Sequence, residues 1–332
     1  MDATFCTDPD RSLTQASARR VPPLLGLILV VYLLLGAFYA LLTPLWQTPD
    51  EPAHFNYVRH MAETLQLPVL QPGDYDQAYL ETIKARKFPA EMSVERIRYE
   101  GHQPPLYYAL VTPFYWLTEP SGIRLQVWVL RLLGVVLGAG VVLLIWASCR
   151  RLCPSQPDLA LAAAGFAAFL PMHVAMMAAV NNDTLAELLI AAGVFRLLGH
   201  LRDGPAGRGW FLTGLVVGLA LLTKLQAYIL VPLAAGVWLW QAARIHMVGR
   251  ERWRTALAVG LPALLLGLPW WARNMLVYGP GDPMGLVRHD AVVTGQPRTA
   301  AWILEQGLGA YGERLVSFTF RSFWGVFGWL GV

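Results

Sequence analysis

The chain has 332 residues, 55% of them hydrophobic and only 14% charged, with a formal net charge of +4. A soluble domain of this size carries roughly a quarter charged residues, so the composition excludes an ordinary water-soluble globule. The basic residues are spread over short loops rather than gathered in a patch, so no nucleic-acid partner is expected.

Residues 1–20 are polar and unpatterned and are expected to form a disordered cytoplasmic tail. Leu24 to Leu42 then runs without a charge, long enough for a hydrocarbon core that takes about 20 helical residues to cross. Arg19-Arg20 resembles the charged flank of a signal peptide. However, the apolar run is too long, and Phe38-Tyr39-Ala40 lacks the small residue that a signal peptidase needs three positions before its cut. The block reads as an uncleaved anchor.

Apolar blocks recur at about Arg124–Trp146, Leu159–Ala179, Leu185–Leu198, Trp210–Thr223, Leu225–Trp240, Thr255–Val277 and Leu315–Val332, about eight spans in all. Arg19-Arg20, Arg150-Arg151, Arg202 with Arg208, and Arg244 with Arg250, Arg252 and Arg254 fall in every second loop. This positive-inside pattern puts the N-terminus in the cytoplasm and the loop 46–122 outside. Cys6, Cys149 and Cys153 then all lie on the reducing side, and no disulfide is expected. The chain ends at Val332 within an aromatic, apolar run, so the membrane domain, 21–332, is expected to be incomplete at its C-terminus. The fold expected is an all-α polytopic transmembrane helix bundle with a long extracytoplasmic first loop containing interfacial helices.

That loop opens with Thr48-Pro49-Asp50-Glu51-Pro52-Ala53-His54-Phe55. Thr48 and Glu51 have capping-box spacing, and Pro49 suits a first helical position, so a helix is expected to run to about Leu65 along the membrane surface. The cap accounts for Glu51, whereas Asp50 needs another reason. A carboxylate at a helix start stays ionised and can accept a proton from a hydroxyl held against it. His54, one turn on, is placed to orient that carboxylate or a substrate. Farther along, Gly101-His102-Gln103-Pro104-Pro105-Leu106-Tyr107-Tyr108 starts a second helix, with His102 exposed at its beginning and Tyr107 and Tyr108 as belt residues.

Ionisable residues at the membrane edge are costly and default to a functional reading, with snorkelling as the plain alternative. Arg131 lies about two turns into the second block, His173 near the outer end of the third, Asp183 at the start of the fourth with Glu187 one turn on, and Lys224 and Arg273 at outer boundaries. All are expected on the same side as Asp50.

The segments Thr48 to Phe55, His102 to Tyr108 and Pro269-Trp270-Trp271-Ala272-Arg273-Asn274 resemble the bacterial GT-C glycosyltransferases, in their family 39 or protein-mannosyltransferase-like branch. The resemblance implies a bacterial inner-membrane enzyme. It would transfer a sugar, with inversion, from a polyprenyl-phosphate donor to an acceptor hydroxyl of a protein, lipid or glycan at the outer face. Asp50, with Glu51 beside it, matches the family's acidic residue and takes the role of general base. Arg131, Lys224 and Arg273 become the cations for the leaving phosphate, with His54, His102, Asp183 and Glu187 lining the substrate site. Members of the family commonly continue through more spans than this chain has. A transporter or flippase would place its charges near the bilayer midplane in two related halves, which are not seen here. A non-catalytic binder of lipid-linked sugar needs the same pocket without the base. No cofactor is assigned, and a divalent metal on Asp50, His54 and His102 is possible but not favoured by their loose spacing.

Overall fold

The structure, a computed structural model, describes residues 22–203, 207–244, 246–296 and 298–329. The expected tail, 1–20, lies outside the described residues. Helices dominate: α1 Pro23–Leu42, α2 Glu51–Thr64, α3 Gln77–Ala85, α4 Leu106–Thr118, α5 Ile123–Leu152, α6 Pro157–Ala168, α7 Pro171–Met177, α8 Asp183–Asp203, α9 Gly207–Leu221, α10 Leu230–Arg244, α11 Gly249–Tyr278, α12 Leu286–Val292, α13 Thr299–Gln306 and α14 Leu308–Trp324.

Among the described residues, five helical stretches are long and apolar enough to cross a membrane: α1, α5, Asp183–Arg202, Leu225–Arg244 and α11. The pair α6 and α7, bent by 61° at a short break, makes a sixth if it is one span. Gly209–Leu221 is apolar but shorter. The chain is a multi-pass, helical membrane protein. Seven of the expected blocks coincide with these helices. Over the eighth, 315–332, stands α14, whose Glu313, Arg314 and Arg321 make it amphipathic rather than apolar all round; Leu330 to Val332 lie outside the described residues.

The chain divides into two compact units. The first takes residues up to Ala37, Val135–Phe169 and Asp183–Pro269. Small residues let its helices approach. Ala160, Ala164 and Ala168 repeat every four residues and are all buried, the spacing that aligns small side chains on one face of α6. Polar side chains join α8, α9 and α10: the Trp210 indole stacks on His200 and donates to Gln241 Oε1 (3.2 Å), whose amide donates to the His200 carbonyl (2.9 Å). Gly214 of α9 has no room for a side chain. An added Cβ would stand 2.3 Å from the Val259 carbonyl oxygen of α11 and 2.6 Å from Pro262 Cγ. Gly214→Val is expected to part α9 from α11 and cost about 1–3 kcal/mol, read as a lower melting temperature of the detergent-purified protein.

The second unit takes Phe38–Gly134, Leu170–Asn182 and the chain from Trp270 onward, and so contains the whole long loop. Ala53, Leu70, Leu80, Ile83, Ile97 and Tyr99 pack with Val292 and Val293 in its core. Helix α2 is packed inside this unit rather than left with one face free. Glu51 through Val58 are buried on every side, because α4 and the short helical turn Tyr99–His102 pack against them. Tyr107 and Tyr108 are likewise fully buried rather than belt residues, with Tyr108 stacked on Tyr57. Pro105 caps α4, as the Pro-Pro pair predicts.

Candidate active site

The expected capping box does not form. Asp50 itself is the N-cap of α2, in the left-handed conformation at φ 59°, which asparagine and aspartate adopt more readily than other side chains. Thr48 is nine-tenths buried, and among the described residues its hydroxyl makes no hydrogen bond. Glu51 turns inward instead of back towards Thr48.

Glu51 and Arg131 form a fully buried, two-pronged ion pair, Arg131 Nε to Oε1 at 2.7 Å and Nη2 to Oε2 at 2.6 Å. The same carboxylate accepts the Trp46 and Val180 backbone N–H groups. Arg131 Nη1 donates to the carbonyls of Ala40 (2.9 Å) and Thr43 (2.7 Å), and Nη2 to that of Pro44 (3.1 Å). These carbonyls belong to the end of α1 and the residues after it, where an α-helix leaves acceptors without intrahelical donors. The five bonds account for all five N–H donors of a guanidinium. Arg131, expected as a phosphate ligand, therefore has none left for a substrate, and Glu51, expected beside Asp50 in catalysis, is bound into the scaffold.

With Glu51 anchored, Asp50 is carried to the wall of a polar cavity of about 340 Å³, shared with Tyr75, Lys84, Tyr99, Gln296, Arg314 and Trp329. The Tyr99 hydroxyl donates to Asp50 Oδ1 at 2.5 Å. Burial and the Asp50 charge push that hydroxyl well above the ordinary tyrosine value, so it keeps its proton and remains a donor. Lys84 pairs with Glu81 at 2.7 Å and lies 5.3 Å from the Trp329 ring centre. Arg314 lies over Trp302 at the same distance. Trp329 closes one side by donating its indole N–H to the Trp46 carbonyl at 2.9 Å and stacking on Phe88.

A second, apolar cleft of about 190 Å³ adjoins this turn, with Thr48 and Pro49 at one side and Tyr39, Met172, Met176 and Phe327 among its walls.

The other expected residues fall elsewhere. His54 is buried, 2.8 Å from the Tyr108 hydroxyl. His102 is buried rather than exposed; its Nδ1 lies 3.2 Å from the Tyr99 carbonyl, and its ring stands 4.4 Å from that of His289. Burial and His102 push His289 below the usual histidine value. Among the described residues no three His, Cys, Asp or Glu side chains converge on a common point. Arg273 does not end a span, since α11 continues to Tyr278. Its guanidinium donates to the Pro68 carbonyl (2.6 Å) and Asn274 Oδ1 (2.9 Å) and lies over the Trp270 and Tyr278 rings, which ties the long loop to α11.

In the first unit, Asp183 and Lys224 do meet, as an ion pair of 2.7 Å between the start of α8 and the third residue after α9. Glu187 faces a largely apolar cavity of about 370 Å³ with Val141, Ile145 and Ile190. Tyr99, Lys84, Arg314 and Trp329 were not singled out by the sequence, because nothing in their spacing relates them to Asp50.

Residues 102–272, a little over half of the chain, match the family model described as dolichyl-phosphate-mannose-protein mannosyltransferase. The chain belongs to this family. Membership, of GT-C type, makes it a membrane glycosyltransferase that draws on a lipid-linked sugar donor. The matched stretch holds His102, Arg131, Asp183, Glu187 and Lys224, while Asp50 and Glu51 precede it and Arg273 follows it directly. None of the curated proteins compared with the chain matches it.

Proposed function

We propose that this chain transfers a sugar, with inversion, from a polyprenyl phosphate to an acceptor hydroxyl at the outer face of a bacterial inner membrane. In this reading Asp50 is the general base. The observation that carries it is an aspartate in a strained left-handed turn, fixed by a protonated tyrosine, on the wall of a cavity that also holds two cations. Asp50 takes the proton of the acceptor hydroxyl as its oxygen bonds to the anomeric carbon. The bond from that carbon to the phosphate oxygen breaks, and the electron pair leaves with the polyprenyl phosphate. Lys84 and Arg314 are proposed for that phosphate, in place of Arg131, because they share the cavity with Asp50. The apolar cleft beside Thr48 and Pro49 suits the isoprenoid chain. The outer-face placement rests on the positive-inside pattern.

Incubating the purified chain with polyprenyl-phosphate-[3H]mannose and protein, lipid and glycan acceptors tests this reading. Consumption of donor with a product of the opposite anomeric configuration supports it. Donor that binds but is never consumed makes the chain a non-catalytic binder, and a product of retained configuration rules out a single displacement. Hydrogen bonds to an ionised group contribute about 1.5–3 kcal/mol, so Lys84→Met and Arg314→Met are each expected to lower donor use roughly ten- to hundredfold. Donor turnover measured against donor concentration checks this.

A further inference from the structure

Helix α14 carries its hydrophobic side chains outward. Leu308, Leu315, Val316, Phe318, Phe320 and Phe323 are all exposed, and no residue of the helix is buried. At about 3.6 residues per turn, Leu308, Leu315, Phe318 and Phe323 fall on one side, and Glu313, Ser317 and Arg321 on the other, where Phe320 and Trp324 also stand. Three charged residues in 17 make it a poor span, while so large an apolar face is unsuited to water.

The chain around α14 fixes the level at which it sits. Just beyond it, the Phe327 ring lies 6.4 Å from Tyr39, close to the end of the first span, and Val326 and Gly328 line a cleft with Met172 and Met176 of α7. Leu41 and Leu42, at that same end of α1, are exposed as a lipid-facing span end should be. The end of α14 is therefore held where hydrocarbon gives way to headgroups. Arg314, near the border of the polar side, lines the cavity of Asp50 and lies over Trp302. Arg314 of the helix reaches a polar cavity, while Leu308, Leu315, Phe318 and Phe323 stand exposed, as Leu41 and Leu42 do.

We propose that α14 lies in the plane of the membrane interface, with its Leu308, Leu315, Phe318 and Phe323 side against lipid acyl chains. An amphipathic helix with an aromatic apolar side and arginines on its polar side partitions there without crossing. The lipid is the occupant, and the helix does not depend on Asp50 being the base.

Spin labels on single cysteines distinguish the cases, using the full chain with Cys6, Cys149 and Cys153 changed to serine and reconstituted in vesicles. Leu315→Cys and Phe318→Cys report the apolar side, Glu313→Cys and Ser317→Cys the polar side, and all four replace exposed or half-exposed residues. Collision with oxygen, which concentrates in the bilayer, is compared with collision with an aqueous nickel chelate. The expected result is an oxygen-to-nickel ratio several-fold higher at 315 and 318 than at 313 and 317. High ratios at all four positions would make α14 a span. Low ratios at all four would put it in water. Shielding of 315 and 318 from both reagents would mean that protein, such as a second copy, covers the face. Each of these three results overturns the proposal.

Discussion

Asp50→Asn is expected to lower sugar transfer by about a hundred- to ten-thousand-fold while leaving the fold and donor binding nearly unchanged. The substitution removes the proton acceptor and little else. Asparagine keeps an oxygen for the 2.5 Å bond from Tyr99, and it tolerates the left-handed backbone at φ 59° as readily as aspartate. Turnover should therefore collapse at unchanged apparent affinity for the donor, with a melting temperature close to that of the parent. Tyr99→Phe is the companion. It leaves the carboxylate in place but takes away the donor that sets its orientation, so its loss in turnover should be smaller than that of Asp50→Asn. Transfer by Asp50→Asn at anything near the parental rate would remove Asp50 from the chemistry, and the base would then have to be sought elsewhere.

The membrane architecture was legible because hydrophobicity and charge act over whole segments. Runs such as Leu24 to Leu42 report on the solvent around them, whatever their partners. The family resemblance was legible for a related reason, since Thr48 to Phe55 and His102 to Tyr108 are contiguous. What stayed hidden depends on pairing across the chain. Arg131 read as a costly charge near a membrane edge, and so as a ligand for phosphate. Its partner Glu51 lies 80 positions away, and its other acceptors are backbone carbonyls that no side-chain pattern marks. The capping box failed in the same way: Thr48 and Glu51 have the right spacing, but the carboxylate is taken up by Arg131 and by the backbone N–H groups of Trp46 and Val180. Lys84 and Arg314 are ordinary surface cations until the fold sets both around Asp50. Lys224 and Asp183 were each legible as boundary charges, and the structure adds that they neutralise one another.

Glu51→Gln is expected to destabilise the protein strongly, because it leaves Arg131 charged, fully buried and without its counter-ion. Breaking a buried pair from one side costs about 3–5 kcal/mol, far more than an exposed pair is worth. Arg131→Met should cost a similar amount for a different reason. It releases Glu51 from its counter-ion and also strips the donors from the carbonyls of Ala40, Thr43 and Pro44 where the first span ends. The double variant Glu51→Gln, Arg131→Met separates the two effects. It removes both charges, so it should recover part of the stability lost by either change alone, but the three carbonyls stay without their guanidinium and recovery should be incomplete. Melting temperatures of the four proteins in detergent give the coupling directly. The pair also positions Asp50, since Glu51 starts the helix that Asp50 caps. Residual activity should therefore fall with the folded fraction and with the disorder of that turn, and the double variant should regain activity as it regains stability. If Glu51→Gln instead melts like the parent protein yet transfers no sugar, then Glu51 takes part in the proton transfer itself, and its ion pair with Arg131 must open during the reaction.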